Sequence, residues 1–399
     1  MKYLQKLVET LYPGETQFKK LGEVCNILDN QRKPVTKEDR TNGEYPYYGA
    51  NGVLDYVDDY IFDGTFLLIG EDGSVINKDN SPVLTWATGK IWVNNHAHII
   101  SEKEGLLLRF LYFYLQTLDV SPIVRGTPPK INQQNLKNIV VPVPPLQIQE
   151  EIVRILDTFT ELTAELTAEL TLRKKQYEFY RDKLLSFDDL SEEERERLGV
   201  RWVTLKDIAL DLYRGNGIKR DEITETGTPC VRYGEIYTKY DISFIDCISH
   251  TNESEINRPK YFSHGDILFA ATGENVDEIS KSTAYLGSKK CLAGGDIIIL
   301  KHEEDPRYLS YVLSTTNAQK QKSAGKVKSK VVHAHISDIE KIVIPLPNKN
   351  EQKRLADILD KFSTLCGDIS TGIPAEISAR QKQYEYYRDK LLSFEEVKA

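Results

Sequence analysis

Apolar residues along the chain follow two alternating regimes. Short β-rich runs, such as Thr65-Phe66-Leu67-Leu68-Ile69 and Asp296-Ile297-Ile298-Ile299-Leu300, are bounded by Gly, Asp and Asn turns and predict mixed α/β domains. After Pro145 the spacing changes. Ile148, Ile152, Ile155, Phe159, Leu162, Leu166 and Leu170, then Tyr177, Tyr180 and Leu184, step by four and three, the signature of a helix–helix seam. Two successive steps of four at Leu162-Leu166-Leu170, inside the tandem Thr-Ala-Glu-Leu at 163–166 and 167–170, mark a stutter. Leu146 to Phe187 as a single helix spans roughly 60 Å. A second stripe runs through Leu355, Ile358, Phe362, Leu365 and Ile369, then Ile377, Tyr384, Tyr387 and Leu391; Gly367, Gly372 and Pro374 are predicted to break it.

The two stripes belong to an internal repeat. Val141-Pro142-Val143-Pro144 followed by Gln149, Ile152, Ile155-Leu156-Asp157 and Phe159 returns as Ile344-Pro345-Leu346-Pro347 with Gln352, Leu355, Ile358-Leu359-Asp360 and Phe362. The segment Lys175–Phe187 returns as Lys382–Phe394 with twelve of thirteen residues identical. Fainter parallels join Phe18–Val24 to Trp202–Ile208 and Arg109-Phe110-Leu111 to Arg307-Tyr308-Leu309. The expected architecture is therefore α+β: two mixed α/β domains separated by two long helices packed as an antiparallel coiled coil, with an internal pseudo-twofold repeat. The expected segments are 1–145, the first domain; 146–190, the first helical spacer; 191–346, the second domain; and 347–399, the second spacer.

Composition narrows the class. A chain of 399 residues with 40% hydrophobic and 28% charged content suits a soluble protein of at least two domains. No run of eighteen apolar residues predicts a membrane span, and no signal-peptide core follows Met1, so the expected location is cytoplasmic. Cys25, Cys230, Cys247, Cys291 and Cys366 are scattered without a Cys-x-x-Cys pair, which fits reduced structural thiols and no metal site. The net charge of −8 argues against a nucleic-acid ligand, but local cations decide phosphate binding.

The order of several motifs, twice over, carries a family resemblance. They are Leu21-Gly22-Glu23-Val24, Tyr45-Pro46-Tyr47-Tyr48-Gly49-Ala50-Asn51-Gly52, Gly265-Asp266-Ile267-Leu268, both Pro-x-Pro…Gln junctions, Gly372-Ile373-Pro374-Ala375-Glu376-Ile377 and the closing Lys-Gln-Tyr-Glu-x-Tyr-Arg-Asp-Lys-Leu-Leu. Over nearly its whole length the chain resembles the DNA specificity subunit of type I restriction-modification systems. The resemblance implies two target-recognition domains, each reading one half of a split, asymmetric site on double-stranded DNA. It also implies helices that set the gap and dock two methyltransferase subunits, with a further restriction and translocase subunit. No cofactor is expected in this chain; the partners would use S-adenosylmethionine, ATP and Mg.

Cations cluster where the resemblance needs them. No carboxylate lies between Asp119 and Glu150, where Arg125 and Lys130 sit, or between Asp305 and Asp338, where Lys320, Lys322, Lys326, Lys328 and Lys330 accumulate beside His333. Arg32 and Lys33 fall at positions equivalent to Arg214, Lys219 and Arg220; Tyr47, Tyr48, Asn51, Arg232 and Tyr233 complete the candidate DNA-binding set. Tyr177, Tyr180, Arg181 and Leu184, with Tyr384, Tyr387, Arg388 and Leu391, are the candidate partner-binding residues. No catalytic residue is expected. Asn-Pro-Pro-aromatic is absent, Gly89-Lys90 is followed by Ile91 and makes no P-loop, and the His96/His98 and His333/His335 pairs lack nearby ligands in sequence. The rival readings are a coiled-coil scaffold without DNA readout and a single-chain nuclease or methyltransferase.

Overall fold

A computed structural model describes residues 16–326, 331–367 and 373–394, with backbone alone at 364–367. In chain order the first domain contains β1 (Gln17–Lys20), α1 (Leu21–Val24), β2 (Asn26–Ile27), β3 (Tyr45–Gly49), β4 (Gly52–Val57), β5 (Phe62–Gly70), β6 (Leu84–Val93), β7 (Ala97–Ser101), α2 (Leu108–Leu115), α3 (Gln133–Lys137) and β8 (Val140–Val143). The helix α4 (Leu146–Ser186) follows, then α5 (Glu192–Leu198). The second domain contains β9 (Arg201–Thr204), α6 (Leu205–Ile208), β10 (Asp211–Arg214), β11 (Ile223–Thr224), β12 (Thr228–Val231), α7 (Tyr233–Thr238), β13 (Ser243–Phe244), β14 (Ser249–Thr251), β15 (Tyr261–Phe262), β16 (Ile267–Ala270), β17 (Thr272–Gly273), β18 (Ser282–Tyr285), β19 (Cys291–Ala293) and β20 (Ile297–Lys301). It continues through α8 (Pro306–Leu313), α9 (Thr316–Ser323), β21 (Val332–His333), α10 (Ile336–Ile339) and β22 (Val343–Leu346), before α11 (Lys349–Gly367) and α12 (Ile373–Leu391).

The chain forms two mixed α/β units, and their borders fall inside the helical segments rather than at their ends. One unit is Met1–Thr167 with Glu376–Ala399, the other Ala168–Ala375. In the first, a six-stranded sheet in the order β2-β7-β5-β6-β3-β4 packs against α2 and the start of α4. Its core takes Ile152, Ile155 and Leu156 from α4, and Leu391 and Leu392 from the end of the chain. Phe159 stacks on Tyr387 (5.6 Å between rings) and Phe110 meets Phe394 edge-on (5.9 Å), so α12 runs against α4. Pro374 lies in the first turn of α12, where a missing N–H costs nothing; Gly372 lies outside the described residues.

The second unit holds two five-stranded sheets, β10-β20-β16-β18-β13 and β11-β14-β12-β19-β15. Its core gathers Leu185 from the end of α4 and Phe187 just past it with Leu355, Ala356 and Leu359 from α11. The apolar stripe on α4 slips here: Tyr180 is half exposed while Arg181 is buried, so the inward positions step by four through Tyr177, Arg181 and Leu185.

Each domain closes on its helix through the same device. The two-stranded ribbon β1–β8 pairs Phe18 with Pro142, and β9–β22 pairs Trp202 with Pro345; a two-stranded edge tolerates the donorless proline. The glutamine one turn into the following helix then satisfies three backbone or carboxylate groups. Gln149 accepts from Leu107 N (2.8 Å) and donates to Gly105 O (2.9 Å) and Pro144 O (2.8 Å). Gln352 accepts from Asp305 N (3.0 Å) and donates to a Glu304 carboxylate oxygen and Pro347 O, both at 2.8 Å. Both side chains are inaccessible to solvent, so replacing either by leucine strands buried polar groups. Gln149→Leu and Gln352→Leu are each expected to cost about 2–4 kcal/mol, read as a lowered denaturant midpoint; a change below about 0.5 kcal/mol would show the amides to be dispensable.

Candidate nucleic-acid interface and docking surface

In the first domain, three chain segments meet at one sheet end. A single turn at Asp29–Gln31 follows β2, Glu71 follows β5, and Lys130 precedes α3. The Arg32 guanidinium donates to Glu71 (2.6 Å), Ala97 O (2.6 Å) and Asp29 O (2.9 Å), and the Lys130 ammonium lies 3.0 Å from Glu71. His98 is inaccessible, with Nδ1 2.7 Å from Asp29 and Nε2 2.8 Å from Ile131 O; Gln133 also donates to Asp29 (2.9 Å). Burial acts to raise the Asp29 carboxyl, but hydrogen bonds from His98 and Gln133 and the charges of His98 and Arg32 hold it below the usual carboxylate range. The sequence placed no ligand near the first His-x-His pair; the fold brings Asp72 onto His96, and Asp29 and Glu71 onto His98. Asp29, Glu71 and His98 offer ligand atoms within 4.8 Å of one another. The cations of Arg32 and Lys130 already neutralise those carboxylates, so the cluster works as an ionic lock on the junction.

The second domain builds the same junction from other residues. Glu71 N donates to His96 O and Ile131 N to Glu71 O; correspondingly Ala271 N donates to Asp296 O and Ala334 N to Ala271 O, all at 2.8 Å. The register Asn26↔Ser101 in one domain matches Asp211↔Lys301 in the other, which puts Arg214 where Asp29 stands and Ile298 where His98 stands. Arg214 donates to Gly295 O (2.7 Å) and Asp296 (2.5 Å). Gly294 sits against the backbone of Arg232, and His333 meets the Thr272 hydroxyl at 3.1 Å, so these candidates share one rim.

The predicted DNA-binding residues divide by what holds them. Lys33, Asn51, Arg125, Lys130, Lys219, Arg220, Tyr233 and His333 present exposed side chains. Of these, Lys130 also pairs with Glu71 and Lys219 with Glu222. The less exposed Arg32, Arg214, Arg232 and Lys326 are likewise tied to carboxylates, Arg232 to Glu235 at 3.4 Å and Lys326 to Asp338 at 2.6 Å. These ion pairs brace the rim. Tyr47 and Tyr48 correct the expectation of direct contact. Both are core residues, the Tyr47 hydroxyl meeting Val35 N at 3.0 Å and its ring carrying the Arg40 guanidinium at 4.4 Å. Lys328 and Lys330 lie outside the described residues.

Lys322, counted above among the basic run, points the other way. It is 2% exposed, donating to Leu313 O (2.8 Å) and the Ser282 hydroxyl (3.3 Å) over the face of Phe269. Burial pushes its ammonium down from 10.5 to about 7. Between those values the unfolded chain binds the extra proton, so this lysine's penalty is full below pH 7 and fades as pH rises toward 10.5. Lys322→Met is expected to stabilise the second unit by about 1–3 kcal/mol at pH 6, after the lost bond to Leu313, and by progressively less at higher pH. Denaturant unfolding at pH 6 and 9 checks this; an equal effect at both would exclude a buried titrating amine.

On the helices, most predicted partner-binding residues serve internal packing. Leu391 is fully buried, and Leu184 is half-buried against the second core. Arg181 pairs with Asp182 and Arg388 with Asp389, both at 2.7 Å. Tyr384 bonds Gln116 (2.9 Å), Tyr387 stacks on Phe159, and Tyr177 packs on the second core. The expectation therefore holds a free surface only at Tyr180. Two exposed rings were not among the expected residues, Phe179 and Tyr386, 62% and 57% exposed. They occupy the one position where the thirteen-residue repeat differs, and a one-residue offset from the buried stripe was the available signal. Beside Tyr180, an apolar groove of about 660 Å³ runs past Leu184, Phe187, Leu190, Leu355 and Phe362. Also unanticipated are Val53, Leu54 and Tyr56, exposed on the edge strand β4.

No helix among the described residues is long and apolar enough to cross a membrane. The family model of the type I restriction modification DNA specificity domain matches twice, at residues 13–172 and 199–379. A putative type I restriction enzyme specificity subunit of Haemophilus influenzae is 35% identical, covering 98% of both chains. The EcoR124I/EcoR124II specificity subunit of Escherichia coli is 32% identical over 99% of this chain and 97% of its own. In fold, the chain is similar to the type I S subunit of M. genitalium, with TM-score 0.55 at 16% identity over 96% and 98% of the two chains. The two matched segments fall on the two repeated domains just described, and the chain belongs to the type I restriction-modification DNA specificity family.

Proposed function

We propose that the chain is the non-catalytic, cytoplasmic DNA-reading subunit of a type I complex. Each domain reads one half of a split, asymmetric target. The observation that carries this reading is the junction built twice on one backbone plan with different side chains: Asp29, Glu71 and His98 against Arg214, Ala271 and Ile298. A shared frame with exchanged chemistry suits two unlike half-sites. In this reading exposed Lys33, Arg125, Lys219 and Arg220 supply phosphate contacts, and Asn51, Tyr233 and His333 supply base or backbone contacts. Phe179, Tyr180 and Tyr386 dock two methyltransferase subunits, which bring S-adenosylmethionine; a restriction and translocase subunit brings ATP and Mg. Methylation-site sequencing of DNA from cells expressing the chain with a cognate methyltransferase subunit is expected to show a two-part motif. An unmethylated genome, despite an assembled complex, would sink the reading.

A further inference from the structure

Three arginines stand on the junction rims, and they differ in how far the fold already occupies their nitrogens. The Arg32 guanidinium donates through Nε to Asp29 O and through Nη1 to Glu71 and Ala97 O, with Nη2 3.6 Å from the Asp29 carboxylate. Arg214 gives Nε to Gly295 O and Nη2 to Asp296. At Arg232 only Nε is engaged, 3.4 Å from Glu235, and neither terminal nitrogen meets a partner among the described residues. The Arg232 side chain is 33% exposed.

The surroundings of Arg232 fix one edge of its guanidinium and leave the other open. Arg232 lies between β12 and α7, and the preceding Val231 O accepts from Gly294 N (2.9 Å). Its side chain starts over Gly294, and Gly215, next to Arg214, presses on the same stretch: a Cβ on Gly215 would fall 2.2 Å from Gly294 O. Gly294 and Gly295 thus put bare backbone beside Arg232. Glu235 is 6% exposed and held from two sides. One oxygen accepts from the Ser249 hydroxyl (2.6 Å), the other from the backbone N–H of Arg232 (3.1 Å). A carboxylate fixed in this way faces the Nε edge and restrains the plane of the fork before any ligand arrives.

We propose that Arg232 reads a guanine in the half-site of the second domain, with Glu235 as its positioning residue; this rests on the DNA-reading function proposed above. The two terminal nitrogens of a guanidinium match O6 and N7 of guanine in the major groove, and no other base presents two acceptors on that edge. The neighbouring carboxylate favours a base over the DNA backbone. A phosphate would bring its negative charge toward Glu235, whereas the guanine edge is uncharged and leaves the ion pair intact.

The test compares methylation motifs in cells expressing the full chain, with a cognate methyltransferase subunit, as wild type, Arg232→Ala, Arg232→Lys and Glu235→Gln. Wild type should show a G·C pair in one half-site that Arg232→Ala no longer requires. Discrimination there should fall roughly 10–100-fold, with the other half-site and the gap unchanged. Arg232→Lys should relax the same position, because a point charge lacks the fork. It keeps the charge at a partly exposed site, so it probes readout without endangering the fold. Glu235→Gln should relax that position by less, and adding it to Arg232→Ala should change nothing further. For the purified complex on a duplex carrying the motif, Arg232→Ala should leave the slope of log affinity against log salt unaltered; loss of a phosphate contact would lower it by about 0.9. Uniform weakening at every position, a lowered salt slope, full rescue by lysine, or a Glu235→Gln motif identical to wild type would each overturn the proposal. A wild-type complex that assembles and leaves DNA unmethylated would instead sink the recognition reading, so the two failures are distinguishable.

Discussion

Replacing residues 18–145 with the matching segment of a relative that methylates a different sequence is expected to change one half of the target completely. The other half and the gap between them should stay as they were. The reason is local. The first domain's rim is set by its own sheet and by the lock among Arg32, Glu71, Asp29 and His98, all inside the exchanged segment. The incoming segment brings its own strand to pair within the β1–β8 ribbon, while Gln149, just outside it, bonds backbone groups alone. A wrong base at a position read by two hydrogen bonds costs about 1–3 kcal/mol, so several exchanged contacts abolish methylation of the old half-site. Sequencing of methylated sites reads the result directly. If both halves changed together, the domains would not read independently.

The second large effect lies on the helices. Phe179→Asp combined with Tyr386→Asp is expected to weaken binding of the methyltransferase subunits by on the order of a hundredfold or more, since an aromatic anchor is worth about 2 kcal/mol or above. Each ring is exposed and supported by the next residue, Phe179 edge-on to Tyr180 (5.4 Å) and Tyr386 to Tyr387 (5.2 Å), so neither substitution opens a core. The melting temperature of the chain should therefore be unchanged while co-purification with the methyltransferase is lost. Aspartate at Tyr387 would strike the stack on Phe159 and confuse unfolding with lost docking. Unaltered complex formation by the double variant would move the docking surface elsewhere, with the groove at Leu184 and Phe362 next to be tried.

The sequence disclosed the repeat, the long helix and its break because each is a local or periodic signal. Pro-x-Pro followed by Gln is visible as a motif, and its purpose follows once the amide is seen to cap two carbonyls and an N–H. What stayed hidden depends on contacts distant in sequence. Arg32 reads as a free cation until Glu71, 39 residues away, arrives beside it. Lys322 reads as one of a basic run until α9 turns it onto Phe269. Tyr47 and Tyr48 lie on an inner strand between β4 and β6 and point to opposite faces, Tyr48 into the cluster of Phe62, Phe66 and Ile91 and Tyr47 under Val35 and Arg40. The phase of α4 was misjudged at Tyr180 because the alternating step of three and four was continued past Tyr177, where the inward positions instead step by four to Arg181 and Leu185.

The first unit draws its core from both ends of the described chain, with Leu391, Leu392 and Phe394 packed against residues that include Phe110 and Ile152. During synthesis those closing residues follow β8 by some 250 residues, a delay of roughly 12–50 s at ordinary ribosome speeds. The domain translated first is thus the one completed last, and a message truncated just before α12 would damage the N-terminal half of the protein while leaving the unit nearest the truncation with its own core residues.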